Sequence, residues 1–154
     1  MKLATTLVVI ASAATSVMGY VANKAFEAAI AQAAGKTLEA LVRPGKIQCH
    51  TTDLKDDTRT KIGPIRDEGF GHLMQPHLNC DVGPGGGCGR ISCSHNAGVY
   101  ICPRNVTETI PFSCFEAASF AMRILEECSS NDQVKGAAWD EKHQFTIEIH
   151  HDVC

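Results

Sequence analysis

Beyond its first nineteen residues the sequence has no long apolar run, few aromatic residues and no excess of positive charge. A membrane-spanning helix needs about 20 consecutive apolar residues, so we predict no membrane insertion. Aromatic residues make up 6% of the chain, with one Trp, which leaves little large apolar surface for a core. The formal net charge is −3, whereas nucleic-acid partners select a basic surface. We therefore expect no nucleic-acid partner.

Common catalytic and metal-binding motifs are also absent. No Cys-x-x-Cys pair occurs, since the tightest gap, Cys88 to Cys93, leaves four residues between them, and this argues against a structural zinc site. The glycine-rich run 83–87 lacks the Gly-Lys-Ser/Thr ending of a phosphate-binding loop. No Gly-x-Ser-x-Gly nucleophile elbow is present. We expect no catalytic residues, no cofactor and no metal site, and hence no enzyme activity.

The N-terminus has the pattern of a secretory signal over residues 1–19. Lys2 precedes a short apolar run, and small residues follow up to Gly19. Loss of this segment removes one of 14 Lys and Arg residues and none of 17 Asp and Glu residues, which leaves a net charge of about −4. Residues 20–45 form an Ala-rich stretch with near-helical apolar spacing, ended by Pro44-Gly45; it is either a docked helix or a removable leader. Residues 46–154 form the cysteine-rich domain.

All eight cysteines lie after the predicted signal: Cys49, Cys80, Cys88, Cys93, Cys102, Cys114, Cys128 and Cys154. An even number of cysteines in a secreted chain predicts disulfides, here up to four. Eight cysteines allow about a hundred connectivities, so spacing alone does not assign the pairs. Because each bridge adds about 2–4 kcal/mol, we expect the bridges to be essential to the fold.

Two segments of the cysteine-rich domain carry β-strand signals. Residues 47–50 read as an opening strand. Residues 90–93 and 99–102 carry β-branched and aromatic residues around the turn formers of 94–98, which predicts a hairpin with a longer loop. Residues 51–71 are polar and rich in glycine, so we expect a loop with at most one short strand near Ile62.

One helix is predicted from Ser113 to Cys128. Ser113 and Glu116 have the spacing of a capping box. Cys114 and Cys128 share the apolar face, whereas Glu116 falls on the opposite, polar face. Fourteen helical residues span about 21 Å, and a disulfide needs Cα atoms within about 7 Å. The two cysteines must therefore bond to different segments.

The last strand is predicted over residues 144–150, with Phe145, Ile147 and Ile149 on one face and polar residues on the other. This alternation favours a sheet with a helix on one side and water on the other. The predicted fold class is α+β: a small, disulfide-stapled antiparallel sheet with at least one packed helix, Cys114–Cys128.

The segment Cys88-Gly89-Arg90-Ile91-Ser92-Cys93-Ser94-His95-Asn96-Ala97-Gly98-Val99-Tyr100-Ile101-Cys102, with the helix and final strand after it, resembles small secreted cysteine-rich proteins of filamentous fungi. Many such proteins are candidate effectors of plant-associated fungi. The strand–helix–strand order also resembles the α/β sandwich of the virally encoded killer toxins of smut fungi, an analogy of fold alone. These resemblances imply an extracellular protein, monomeric by expectation, that acts in the host apoplast or host cell.

The resemblance implies a non-enzymatic effector that binds a host protein and modulates immunity or virulence. A killer-toxin-like antimicrobial protein is the first alternative. The second is a secreted ribonuclease, in which Glu148 and His150 on a solvent-facing strand act as acid and base and Arg90 or Arg104 contacts phosphate. Asn105 begins an Asn-Val-Thr sequon, and we expect a glycan there.

Overall fold

The computed structural model describes residues 44–49, 58–140 and 144–154, together with the single positions Ala28 and Gln32. The predicted signal, most of the Ala-rich segment, His50 and His143 lie outside the described residues. Among the described residues no helix has the length and apolarity needed to cross a membrane. In chain order the elements are β1 (Lys46–Cys49), β2 (Thr60–Lys61), α1 (Ile62–Pro64), a π-helical segment (Ile65–Gly69), α2 (Phe70–Leu73), β3 (Gly89–Ser94), β4 (Ala97–Pro103), α3 (Cys114–Cys128), β5 (Gln133–Val134), β6 (Gly136–Asp140) and β7 (Phe145–His151).

Five strands form one antiparallel sheet in the order β1-β6-β7-β4-β3, and β2 pairs with β5 beside it. Strand β7 is central, with Ile147 paired to Ile101 on one side and to Ala138 on the other. Helix α3 packs on β1, β6 and β7, and the stretch from α1 to α2 covers β3 and β4 on the same face. The α+β prediction, an antiparallel sheet stapled by disulfides under a packed helix, is confirmed.

Helix α3 begins and ends where the sequence predicts. The Ser113 hydroxyl accepts a hydrogen bond from the Glu116 backbone N–H at 3.3 Å, and the Glu116 carboxylate accepts one from the Ser113 N–H at 3.4 Å. The placement of Glu116 on an exposed polar face is wrong. Its side chain folds back onto the cap and is 3% exposed. The capping interaction therefore overrides the helical periodicity at this position.

The prediction of a loop over 51–71 fails from Ile62 onward. The chain leaves the short strand β2 directly into the helical stretch α1, π-helical segment and α2, which buries Ile65, Phe70 and Leu73 against the sheet. Helix propensity does not predict this stretch, because it contains Gly63, Pro64 and two further glycines, which disfavour helices. Its formation rests on burial of those three apolar side chains.

The hairpin between β3 and β4 is tighter than predicted. Ser94 pairs with Ala97, so the loop holds only His95 and Asn96, and Ala97 and Gly98 belong to β4. Both loop residues have positive φ, 46° and 64°, the pattern of a type I′ turn. This turn matches the twist of the strands, although histidine is not one of its usual residues.

The four disulfides brace both faces of the sheet. Cys49–Cys128 and Cys80–Cys114 fasten the two ends of α3 to β1 and to the loop before β3. Cys88–Cys102 and Cys93–Cys154 lie on the opposite face and hold β3, β4 and the C-terminus together. Cys114 and Cys128 thus bond to different segments, as the length of the helix requires.

Strand β6 contains Gly136 because α3 crosses it closely. A Cβ atom at Gly136 would lie 2.9 Å from Cys128 Sγ and 3.0 Å from the Gln48 carbonyl oxygen. We therefore expect Gly136→Ala to lower the free energy of unfolding by about 1–3 kcal/mol through overpacking. Gly71 is the matched control because a Cβ there meets nothing within 4 Å. Gly71→Ala in α2 should be neutral or stabilising in urea unfolding, and an equal loss in both variants would contradict this packing.

Candidate functional site

The sheet face away from α3 carries the polar residues of β7. Cross-strand partners share a face, so Arg90, Tyr100 and Glu148 lie in one row across β3, β4 and β7. The expectation that this face is solvent-exposed is wrong at β7. Glu148 is 1% exposed and His150 is 6% exposed. Alternation in the sequence gives the face of each residue but not what covers it.

Tyr100 is the centre of a polar network on this face. Its ring stacks on the His150 imidazole, with centroids 4.5 Å apart. Its hydroxyl donates a hydrogen bond to Asp152 Oδ2, which also accepts one from Arg90 at 2.8 Å. Gly98 makes room for the ring, since a Cβ there would lie 2.6 Å from Tyr100 Cε2. The network ties β3, β4 and the chain end beside Cys154.

The His150 ring has a defined tautomer. Its Nδ1 lies 2.8 Å from the His151 carbonyl oxygen, which only accepts hydrogen bonds, so Nδ1 carries the proton. In the neutral ring Nε2 is then the basic nitrogen; it is buried and has no hydrogen-bond partner among the described residues. The hydrogen bond at Nδ1 and the stacking on Tyr100 fix the orientation of this ring.

Asp152 makes folding sensitive to acid. The Tyr100 hydrogen bond, and after it the Arg90 hydrogen bond, lower the pKa of the Asp152 carboxyl below its ordinary value. Because the pKa is lowered in the folded state, the ionised Asp152 carboxylate stabilises the fold above about pH 4. This contribution to stability is lost as the pH falls through the pKa of Asp152 in the folded protein. Burial, followed by the hydrogen bond to Asp152, raises the pKa of Tyr100.

We expect Asp152→Asn to flatten the loss of stability between about pH 5 and pH 2. Thermal unfolding across this range checks the prediction. Asp67→Asn is the control, since Asp67 pairs with Arg66 on the exposed surface and makes no contact with Tyr100. If the unfolding temperature fell equally steeply with pH in the wild type and in Asp152→Asn, Asp152 would not be the source of the acid sensitivity.

The structure only partly assembles the residues of the ribonuclease alternative. It places Arg90, Glu148 and His150 on one face, but Arg90 is bound to Asp152. Arg104 lies elsewhere, with its guanidinium carbon 3.7 Å from the centroid of the Trp139 ring. Glu148 Oε1 accepts a hydrogen bond from the Thr146 hydroxyl at 3.2 Å. Each of these side chains thus has a contact within the protein, and Arg104 lies apart from the other three. Among the described residues, no cluster of three His, Cys, Asp or Glu side chains is placed to hold a metal ion.

Two clefts among those at the surface of the described residues have a size that suits a small ligand. One, of about 490 Å³, is lined by Lys46, Arg104, Asn105, Trp139, Asp140 and Gln144. Asn105, the expected glycosylation site, is exposed at its edge with a φ of 54°. The other, of about 450 Å³, lies between β2, the β3–β4 turn and the end of β7. Both volumes lie in the range of small-molecule sites.

The second cleft and the Tyr100 network could not be predicted from the sequence. Both join residues far apart in the chain: Lys61 with His95 and His151, and Arg90 with Asp152. The turn formers His95 and Asn96 were the one local feature that pointed to this region, and they were predicted to lie in a longer loop.

No protein-family model, no curated protein and no solved structure matches this chain.

Proposed function

We propose that this protein is a secreted, non-enzymatic binding protein, an effector that a plant-associated fungus releases to act on a host protein. The observation that carries the proposal is the bonding of all eight cysteines in four disulfides. Such cross-links persist in oxidising compartments and are rare in the cytosol. They suit a small protein that must survive outside the cell with few aromatic residues in its core.

The burial of Glu148 and His150 supports binding over RNA cleavage. An acid and a base that act on a substrate must come within hydrogen-bond reach of it. At 1% and 6% exposure these two side chains offer little surface to a substrate. Glu148 accepts a hydrogen bond from Thr146, and His150 stacks on Tyr100, which supports a role for both side chains in the fold.

A deletion strain of the producing organism and the purified, oxidised protein test the proposal together. We expect reduced growth of the deletion strain on the host, restored by the wild-type gene, and a host response to the pure protein. Unchanged growth together with no host response would count against an effector. Inhibition of competitor microbes by the pure protein would favour the killer-toxin alternative. RNA cleavage between pH 5 and pH 8 that Glu148→Gln abolishes would establish the ribonuclease instead.

A further inference from the structure

The second cleft gathers nitrogen-bearing side chains from three distant segments. Arg59 and Lys61 come from the β2 region, His95 and Asn96 from the β3–β4 turn, and His151 from the end of β7. The amide of Gln133 in β5 lies at the same cleft, and the apolar ring of Pro64 forms part of its wall. Among the described residues, no acidic side chain lines this cleft. In a chain of net charge −3, this is a local concentration of positive charge.

The walls of the cleft are held in place by hydrogen bonds between its segments. The Thr60 hydroxyl donates to the Asn96 carbonyl oxygen at 3.0 Å, and the His151 N–H donates to the Thr58 carbonyl oxygen at 3.4 Å. Strand β2 is further fixed by its pairing with β5. The backbone segments that carry the donors are therefore held together before any ligand arrives, which reduces the entropy lost on binding.

The turn holds His95 over the cleft in an unusual backbone conformation. Histidine at a φ of 46° occupies the left-handed region, where Asn or Gly is the usual residue of this turn type. Its side chain is 72% exposed, so burial does not explain the choice. Strained residues of this kind cluster at functional sites.

One acidic side chain, that of Glu68, contacts His95 on the Nδ1 side of its ring. Glu68 lies 3.5 Å from His95 Nδ1 and also accepts a hydrogen bond from the Ser94 hydroxyl. Its neighbour Asp67 is bound to Arg66. The Glu68 carboxylate contacts the imidazole at Nδ1, so Nε2 is the ring nitrogen that would contact a ligand.

We propose that this cleft binds a phosphate-type dianion carried by a small organic molecule, with Lys61, His95 and His151 as the contacting residues. The group that the cleft would recognise is a compact double negative charge, which binds through charge-assisted hydrogen bonds from Arg, Lys and His. The volume of about 450 Å³ exceeds that of one phosphate and fits an attached group of sugar size. A free phosphorylated molecule and a phosphorylated lipid headgroup both present this group.

Calorimetric titration of the oxidised full chain with glucose 6-phosphate, at low ionic strength, tests the proposal. Glucose is the neutral control ligand. We expect binding of glucose 6-phosphate only, and binding about tenfold weaker in Lys61→Ala. Lys46→Ala, in the other cleft, should bind as the wild type does. Equal binding of glucose and glucose 6-phosphate, no binding of either, or equal weakening in Lys61→Ala and Lys46→Ala would overturn the proposal.

His95→Asn separates binding from folding, because Asn suits the turn better than His does. We expect this variant to be at least as stable as the wild type and to bind about fivefold more weakly. Unchanged affinity in His95→Asn would contradict a contact between the His95 imidazole and the ligand.

Co-sedimentation with vesicles distinguishes the two sources of the ligand. Vesicles with a phosphatidylinositol monophosphate are compared with pure phosphatidylcholine vesicles. Binding to the former that glucose 6-phosphate displaces assigns the cleft to a lipid headgroup. Binding of glucose 6-phosphate without vesicle binding assigns it to a free molecule. Vesicle binding that Lys61→Ala leaves unchanged would contradict a site in this cleft.

Discussion

Replacing both Cys49 and Cys128 by alanine is expected to lower the free energy of unfolding by about 4.5 kcal/mol. The reason is the length of chain that this disulfide closes, since its two cysteines lie 79 positions apart. Without the bridge the unfolded chain gains the entropy that the closed loop had removed. A loss of this size is a large part of the 5–15 kcal/mol by which an ordinary domain is stable.

The Cys88–Cys102 disulfide provides a matched comparison. Its cysteines are only 14 positions apart, so Cys88→Ala with Cys102→Ala should cost about 3 kcal/mol. Both double variants remove one bridge and leave no unpaired thiol. Urea unfolding under oxidising conditions measures the two losses. A loss for the short bridge that equals or exceeds the loss for the long one would contradict the explanation by chain entropy.

Phe120→Ala is expected to lower the free energy of unfolding by about 3–5 kcal/mol. Phe120 is fully buried on α3, and its ring lies 5.8 Å from that of Phe112 and 5.9 Å from that of Phe145. These three rings lie between the helix and β7 in a chain with few aromatic residues. Their loss therefore leaves a cavity that small neighbours such as Ala117 and Ala121 do not fill.

Phe115→Ala is the matched control on the same helix. Phe115 is only partly buried at the border of the core, so its removal should cost less than half as much as that of Phe120. Urea unfolding of both variants with the disulfides intact makes the comparison. Equal losses would show that the aromatic cluster does not carry the packing of α3 on the sheet.

The elements predicted correctly from the sequence are those with local signals. Helix α3 has a capping box and an apolar stripe, and β7 has strict alternation, so neither depends on knowledge of distant residues. Strand β7 begins one residue later than predicted because Gln144 has a φ of 56° and belongs to the turn. The opening strand likewise covers Lys46–Cys49, close to the predicted 47–50.

The elements that the sequence did not reveal depend on tertiary contacts. Strand β6 consists of Gly-Ala-Ala-Trp-Asp, most of which has low β-propensity, and it is a strand because β1 and β7 pair on either side of it. The burial of Glu148 and the meeting of Lys61 with His95 and His151 likewise require the folded chain. The disulfide pairs also could not be predicted from the sequence, because the spacing of eight cysteines allows about a hundred connectivities.

Mapping the disulfides of protein recovered from culture fluid tests the central claim most directly. Proteolysis without reduction, followed by mass spectrometry, should find no free thiol and the pairs Cys49–Cys128, Cys80–Cys114, Cys88–Cys102 and Cys93–Cys154. The intact mass of the same sample before and after reduction gives the number of bridges, the mature N-terminus and any glycan at Asn105. Free thiols, a bound zinc ion or retention of the protein in the cytosol would contradict an extracellular fold held by these four cross-links.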